Sequence, residues 1–306
     1  MIPTVLEAQC ESVDGILKKC ASSVRRVGPG QWRVTFANGR TVRADASIED
    51  EEWLVMDALL QRAPKGSTIA HEKLWQLLLW NAEIDGAAKF VLGPREGAVR
   101  LRAEIPLEGA GAVPAAEIEQ ACRDFRTSFA RFKGQRGRKR PAKSSAEPAS
   151  GEDDSGCNLT ELCRNVGWPF TERASGKLSI PLGSDGSYQA ILSRRESGRV
   201  RASVDLGRCE DASKTSREAL GWLLLGASGV LRMVRASAEE ADGAPTVLRL
   251  EAALEACPDA ARVVHALSAL EVGCCWLCGR EVQVLLDHED IAREYLSARG
   301  RVPEPR

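Results

Sequence analysis

Apolar residues recur at three- and four-residue steps from residue 4 to 21. Leu6, Cys10, Val13, Ile16, Leu17 and Cys20 share one face, which predicts a first helix. The period then drops to two. Trp32-Arg33-Val34-Thr35-Phe36 alternates, Asn38-Gly39 supplies a tight turn, and Arg40 to Asp45 alternates back, so a hairpin is expected. The acidic run Glu49 to Glu52 precedes Trp53, Leu54, Met56, Leu59 and Leu60. Acids in a first turn complement a helix dipole, so these residues are expected to be helical. Pro64 and Gly66 interrupt the pattern. A helix is expected over about 69–80, then strands near 86–92 and 98–107, then a helix over about 115–132 marked by Ile118, Ala121, Cys122, Phe125 and Phe129.

The second half repeats this plan. The spacing predicts a short helix over 159–166 and strands near 170–173, 177–182, 188–194 and 199–206. A helix over about 212–226, strands near 229–237 and 245–254, and a helical region over about 258–297 follow. The apolar run Leu74-Trp75-Gln76-Leu77-Leu78-Leu79-Trp80 leads to Arg100-Leu101-Arg102-Ala103-Glu104-Ile105-Pro106-Leu107. Likewise, Leu220-Gly221-Trp222-Leu223-Leu224-Leu225-Gly226 leads to Leu248-Arg249-Leu250-Glu251-Ala252-Ala253-Leu254. A repeat of this length is a doubled domain rather than a short-period solenoid. The expected division is a first domain over 1–132, a charged linker over 133–156, and a second domain with an extended helical end over 157–306. The linker is basic, then rich in Pro, Ala and Ser, then acidic, with little to bury. Helices with antiparallel strands give an α+β class: two tandem domains, each a twisted antiparallel sheet flanked by helices.

This element order, with a Leu-rich helix before a hairpin that ends in Arg100 to Leu107, resembles the Tir-chaperone and YbjN-like superfamily, the class I type III secretion chaperones and their bacterial relatives. Leu74 to Asn81, Phe90-Val91-Leu92 and Val99 to Leu107 carry the resemblance in the first half. Trp222 to Leu225, Val230 to Val234 and Val247 to Leu254 carry it more weakly in the second. The resemblance implies a non-enzymatic protein that holds a segment of a partner polypeptide by groove binding and strand addition. The family usually has one unit per chain. Two units here suggest an internal pseudo-dimer, a homodimer being the other arrangement to expect. In the family's geometry the helix before the last hairpin helps form the dimer contact, which makes Trp80 and Trp222 the candidates for the seam. The expected partner-binding edges are the first-hairpin strands, with Trp32, Val34 and Phe36 in the first copy and Tyr188 and Ile191 in the second.

Composition adds bounds. In 306 residues, 43% are hydrophobic and 28% charged, enough for a core in each half. No run approaches the roughly 18 apolar residues of a spanning helix, and the first residues lack a signal-peptide pattern. The expectation is a cytoplasmic protein with no membrane association. Net charge is −1, yet seven basic residues crowd positions 131–143, so the remainder is acidic, which argues against nucleic-acid binding by the domains.

The candidate chemistry is sparse. Ten cysteines suit a reducing compartment. Cys274-Cys275-Trp276-Leu277-Cys278 contains one C-x-x-C, which makes Cys275 and Cys278 the candidate metal ligands. His265 and His288 fit no common zinc spacing, and packed helix positions are the preferred reading of these cysteines. Three histidines, His71, His265 and His288, are too dispersed to mark a catalytic base. No catalytic residue and no cofactor is expected. The favoured function is a protein-binding module. The alternatives are a metal- or redox-responsive protein using Cys274 to Cys278, and a nucleic-acid adaptor acting through the basic linker.

Overall fold

The computed structural model describes residues 5–37, 41–62, 69, 71–93, 97–107, 113–134, 158–173, 176–210, 212–241, 244–277 and 280–300. The expected linker and the Asn38-Gly39 turn lie essentially outside these residues.

The first half runs α1 (Val5–Cys20), β1 (Ser23–Gly28), β2 (Gln31–Ala37), β3 (Thr41–Glu49), β4 (Trp53–Gln61), α2 (His71–Glu83), β5 (Ala88–Leu92), β6 (Val99–Pro106) and α3 (Ala115–Gly134). The second runs α4 (Leu159–Val166), β7 (Thr171–Arg173), β8 (Lys177–Leu182), β9 (Tyr188–Arg194), β10 (Val200–Cys209), α5 (Lys214–Val230), β11 (Val234–Ala241), β12 (Ala244–Ala253) and α6 (Ala260–Leu277). Two further helices, α7 (Arg280–Asp287) and α8 (Glu289–Gly300), follow α6. The chain is α+β with two antiparallel six-stranded sheets.

Both sheets have one topology. The first is ordered β1-β2-β3-β4-β6-β5, and the second, read from its far edge, β7-β8-β9-β10-β12-β11. Each strand thus has its counterpart at the same place in the other sheet, as a duplicated unit requires.

Residues Trp53 to Leu60 form strand β4, not the expected helix. Leu54, Met56, Ala58 and Leu60 point inward, while Val55 and Leu59 sit at alternate positions. Those two outward apolar residues hid the period of two. The hairpin turn into β4 is built by Asp50 and Glu51, both left-handed with φ of 54° and 59°. Such a turn needs positive φ at both central residues, and Asn-Gly is its usual signal. Acidic residues that read as a helix start are in fact that turn. Strand β1 had no expected counterpart in the sequence, because Arg25, Arg26 and Val27 are all exposed and no alternation shows.

In the first half, α1 and α3 cover one face of the sheet. Cys10, Val13 and Leu17 of α1, with Ile118, Phe125 and Phe129 of α3, close over Trp32, Val34 and Phe36. The Phe36 and Phe125 ring centroids are 5.9 Å apart. Trp32 is fully buried in the core yet satisfies its indole N–H on Asp14 Oδ1 at 3.1 Å. In the second half α6 fills the same role over Ile180, Leu192, Ala202 and Leu250. Helix α6 is by length and composition apolar enough to cross a membrane, but 44% of it is buried against this sheet and its surroundings. Helices α7 and α8 pack on α5 and add a layer with no counterpart among the described residues of the first half.

Candidate functional site

The two halves meet through α2, α5, β5 and β11. Helix α2 packs chiefly on β11 of the second sheet, α5 packs on β5 of the first, and the two helices touch. Each half therefore covers the other's inner sheet edge with its own helix. This is the reciprocal logic of a two-fold interface, enclosed within one chain.

Buried polar groups fix the seam. Asn81 of α2 accepts from Phe90 N at 2.7 Å and donates to Phe90 O at 3.0 Å and to Ala236 O at 2.9 Å. Ser228 of α5 accepts from Ala236 N at 2.7 Å. Asn81 and Ser228 do the same work on equivalent strands, which makes Trp75 the counterpart of Trp222 and Leu74 that of Gly221. This register is one residue away from that of the quoted apolar runs. A Cβ on Gly221 would stand 2.7 Å from Leu74 Cβ, so the helices cross where one carries a side chain and the other carries none.

Charge is enclosed alongside. Lys89 is 1% exposed, and its ammonium donates to Glu104 Oε2 at 2.6 Å, Leu231 O at 2.6 Å and Val234 O at 3.0 Å. Burial pushes the Lys89 pKa down, and Glu104 opposes that shift. Arg102 Nε holds the other Glu104 oxygen at 2.9 Å. On the second side Arg235 binds Glu251 Oε1 at 2.8 Å, Gly86 O at 2.7 Å, Ala88 O at 3.0 Å and Ile84 O. Arg201 also reaches Glu251, at 3.4 Å, and Arg195 binds Ala82 O at 2.6 Å and Asp85 Oδ1 at 2.9 Å across the seam. Arg199 clasps both oxygens of Glu117 on α3, at 2.8 and 3.0 Å. Asp124 faces this region with Oδ2 buried and unbonded. Burial raises its pKa to about 6 against the opposing hydrogen bond from Gln120 and the charges of Arg235 and Arg199. Apart from Asp124, these groups pair with one another and with backbone carbonyls, so they hold the halves together.

The expected sites fall in different places. Trp80 is buried with its ring near Phe90, Phe132 and the Arg131 guanidinium, all in the first half. Trp222 is half-buried on α5. Its counterpart Trp75 meets the second half directly, under the Arg217 guanidinium 5.5 Å from its ring. The expected edge strands are corrected. Trp32, Val34 and Phe36 lie on β2, between β1 and β3, and Tyr188 and Ile191 lie on β9, between β8 and β10. Their clean alternation marks interior strands buried on one face. The outer edges are β1 and β7, short or charged strands without that signal.

In the Cys274 cluster, Cys274 is buried and its carbonyl accepts from the Tyr188 hydroxyl at 3.4 Å. Cys275 is exposed, and Cys278 lies outside the described residues. Burial raises the Cys274 pKa to about 12. Among the described residues no three His, Cys, Asp or Glu side chains group to hold a metal ion. Of the basic segment, Arg131 pairs with Glu83 and Lys133 lies 5.8 Å from the Phe129 ring centre. Positions 136–143 lie outside the described residues.

The open edge at β1 differs from the seam. Arg25 stands directly opposite Arg33, and Thr35 opposite Arg43, on the solvent side of the first sheet. Arg33 has Asp45 at 3.2 Å. Among the described residues, no acid pairs with Arg25 or Arg43. Like charges directly opposite on a strand pair are unfavourable without compensation. No family model matches this chain, and no curated protein matches it.

Proposed function

We propose that this protein is a non-catalytic binding module that holds an extended acidic segment of another polypeptide along the open edge of β1. The carrying observation is the outward pair Arg25 and Arg33, directly opposite each other, with Arg43 one strand further in, beside an edge strand with no neighbour among the described residues. An added strand satisfies the edge's free backbone groups, alternate acidic side chains on it face Arg25, and Arg33 and Arg43 add to the positive field of that face. The inner edges β5 and β11 are closed by the seam, which leaves the outer edges as the places for strand addition. The doubled scaffold and its resemblance to the secretion chaperones support the same reading, with the cytoplasm as the compartment that reading proposes.

Fluorescence anisotropy on the full chain tests this. The probes are two extended peptides that alternate valine with glutamate or with lysine. The glutamate peptide is expected to bind at least about ten-fold more tightly, to weaken as salt rises, and to lose that advantage in Arg25→Glu/Arg43→Glu. Equal affinity of the two peptides, or an unchanged preference in the double variant, rules the proposal out.

A further inference from the structure

Helices α3 and α6 occupy the same place in the two halves, each following the last strand of its unit. Their buried positions run in one register: Ala121 with Ala266, Cys122 with Leu267, Phe125 with Leu270, Ser128 with Gly273 and Phe132 with Leu277. The outward positions differ in kind. Where α3 carries Thr127 and Arg131, α6 carries Val272 and Trp276, 60% and 47% exposed. Arg131 pairs with Glu83, the last residue of α2. By the register of Asn81 with Ser228, the counterpart of Glu83 is Val230, the last residue of α5 and 57% exposed. The place of an ion pair in one half is thus held by two exposed apolar side chains in the other. A Cβ on Gly273 would stand 3.2 Å from Leu231 Cδ1, so α6 and the end of α5 border one patch of Val230, Val272 and Trp276. These are three of the seven exposed large apolar side chains among the described residues. The fold does not require them, because the same scaffold is polar there in the first half. Exposed apolar residues gathered in this way mark a contact surface.

We propose that this patch joins two copies of the chain through a two-fold contact of α6 on α6. In such a contact one surface meets itself, so a charged face is repelled and an uncharged one is not. Helix α6 holds two residues of the Asp, Glu, Lys and Arg types, the buried Arg262 and the half-buried Glu271, where α3 holds seven. Self-contact through α3 would set the outward Arg123 and the half-buried Arg126 against a second set of the same arginines. With the axis beside Val272, each Trp276 lies over position 268 of the opposite helix, where a serine leaves room. From Ala261 to Trp276 the face is about 22 Å long and about 10 Å wide. That is well under the roughly 800 Å² per partner of a standard interface, so the dimer is reversible rather than permanent. Other occupants fit less well. Segment 133–156 of the same chain has no Val, Ile, Leu, Met, Phe, Trp or Tyr to lay on the patch. The charges flanking the face, Asp259 and Glu271, are acidic and unsuited to an anionic lipid surface. The contact uses neither the seam nor the β1 edge, so it stands independently of peptide binding.

Sedimentation equilibrium of the full chain from about 1 to about 200 μM tests this. The mass is expected to rise from one chain toward two across that range. Trp276→Arg/Val230→Glu installs the ion pair of the first half. It is expected to weaken association at least about ten-fold while the urea midpoint stays unchanged. Val272→Thr places on α6 the residue type of Thr127. It is expected to weaken association several-fold, and it decides the matter where the double variant fails to fold. Leu59→Ser removes an exposed apolar side chain on β4 and is expected to leave association unchanged. A chain still monomeric at about 200 μM, a species larger than a dimer, or a dimer that the α6 variants leave intact overturns the proposal. Equal weakening by Leu59→Ser does the same. Monomers that co-sediment with phosphatidylcholine vesicles, and lose this in Trp276→Arg/Val230→Glu, would assign the patch to lipid and overturn it too.

Discussion

Lys89 and Arg235 hold equivalent positions in the two halves, and each donates to the start of the other's strand. Lys89 Nζ reaches Val234 O at 3.0 Å, and Arg235 Nη1 reaches Ala88 O at 3.0 Å. Each cation also has its own buried acid on the neighbouring strand, Glu104 and Glu251 respectively. The halves are thus joined by a matched exchange of hydrogen bonds, and the cations' lost hydration is offset by carboxylates supplied from their own sheets.

Glu104 is the acid whose loss exposes this arrangement most clearly. Glu104→Ala leaves the Lys89 ammonium enclosed with carbonyls alone, and is expected to cost about 3–5 kcal/mol in urea unfolding. The double variant Lys89→Met/Glu104→Ala removes the stranded charge and is expected to recover about half of that. A single-variant cost under about 1 kcal/mol would show that the seam does not depend on the pair.

Asn81 serves both halves with one side chain. Asn81→Ala unpairs Phe90 N and removes a donor from Phe90 O and Ala236 O, with an expected loss of about 2–4 kcal/mol. Asn81→Asp keeps the acceptor for Phe90 N but sets a carboxylate against two carbonyls. It is expected to be no better than alanine at pH 7 and to improve relative to alanine as pH falls. Unfolding curves at pH 5 and 7 check the order.

The Leu74–Gly221 crossing admits one side chain, not two. Gly221→Leu is expected to cost about 1–3 kcal/mol by overpacking, and Leu74→Gly to cost at least as much through a cavity and lost helix propensity. Their combination moves the side chain across the approximate two-fold, and is expected to be at least about 1 kcal/mol more stable than the sum of the single changes. Simple additivity would show that the two positions do not share one space.

Asp124 gives the protein a stability slope in mild acid. Its folded pKa of about 6 lies above the ordinary value of 3.8. Between these limits the folded state holds a proton that the unfolded chain has released. Its contribution to stability therefore falls as pH rises from about 4 to about 6, then stays constant. Asp124→Asn is expected to flatten that slope and to raise neutral-pH stability relative to the parent, by at most about 3 kcal/mol. Unfolding free energies of both proteins at pH 4.5 and 7 check it. A variant less stable at pH 7 than the parent contradicts the assignment.

Strands buried on one face are legible in the sequence alone. Trp32-Arg33-Val34-Thr35-Phe36 shows its period of two because water lies on one side and Phe125 on the other. Helices α1, α3 and α4 were legible for the parallel reason, a single apolar stripe over a core. Strand β4 was not, because Val55 and Leu59 are apolar on the outer side and the Asp50-Glu51 turn uses no glycine. Strand β1 was not, because an edge strand exposes Arg25, Arg26 and Val27 alike. The edges were not legible either: the first-hairpin strands expected there have neighbours on both sides, and clean alternation suits such strands.

The sequence by itself determined the doubled α+β plan and most element positions, since these follow from local spacing and from turn chemistry acting over a few residues. Only the tertiary structure decided which tryptophan meets the other half, and which carboxylate neutralises Lys89. Those pairings join positions far apart along the chain, through backbone carbonyls and through the space left by one absent side chain at Gly221. No local pattern of apolar and polar residues records where a carbonyl or an empty space will be met by a distant group.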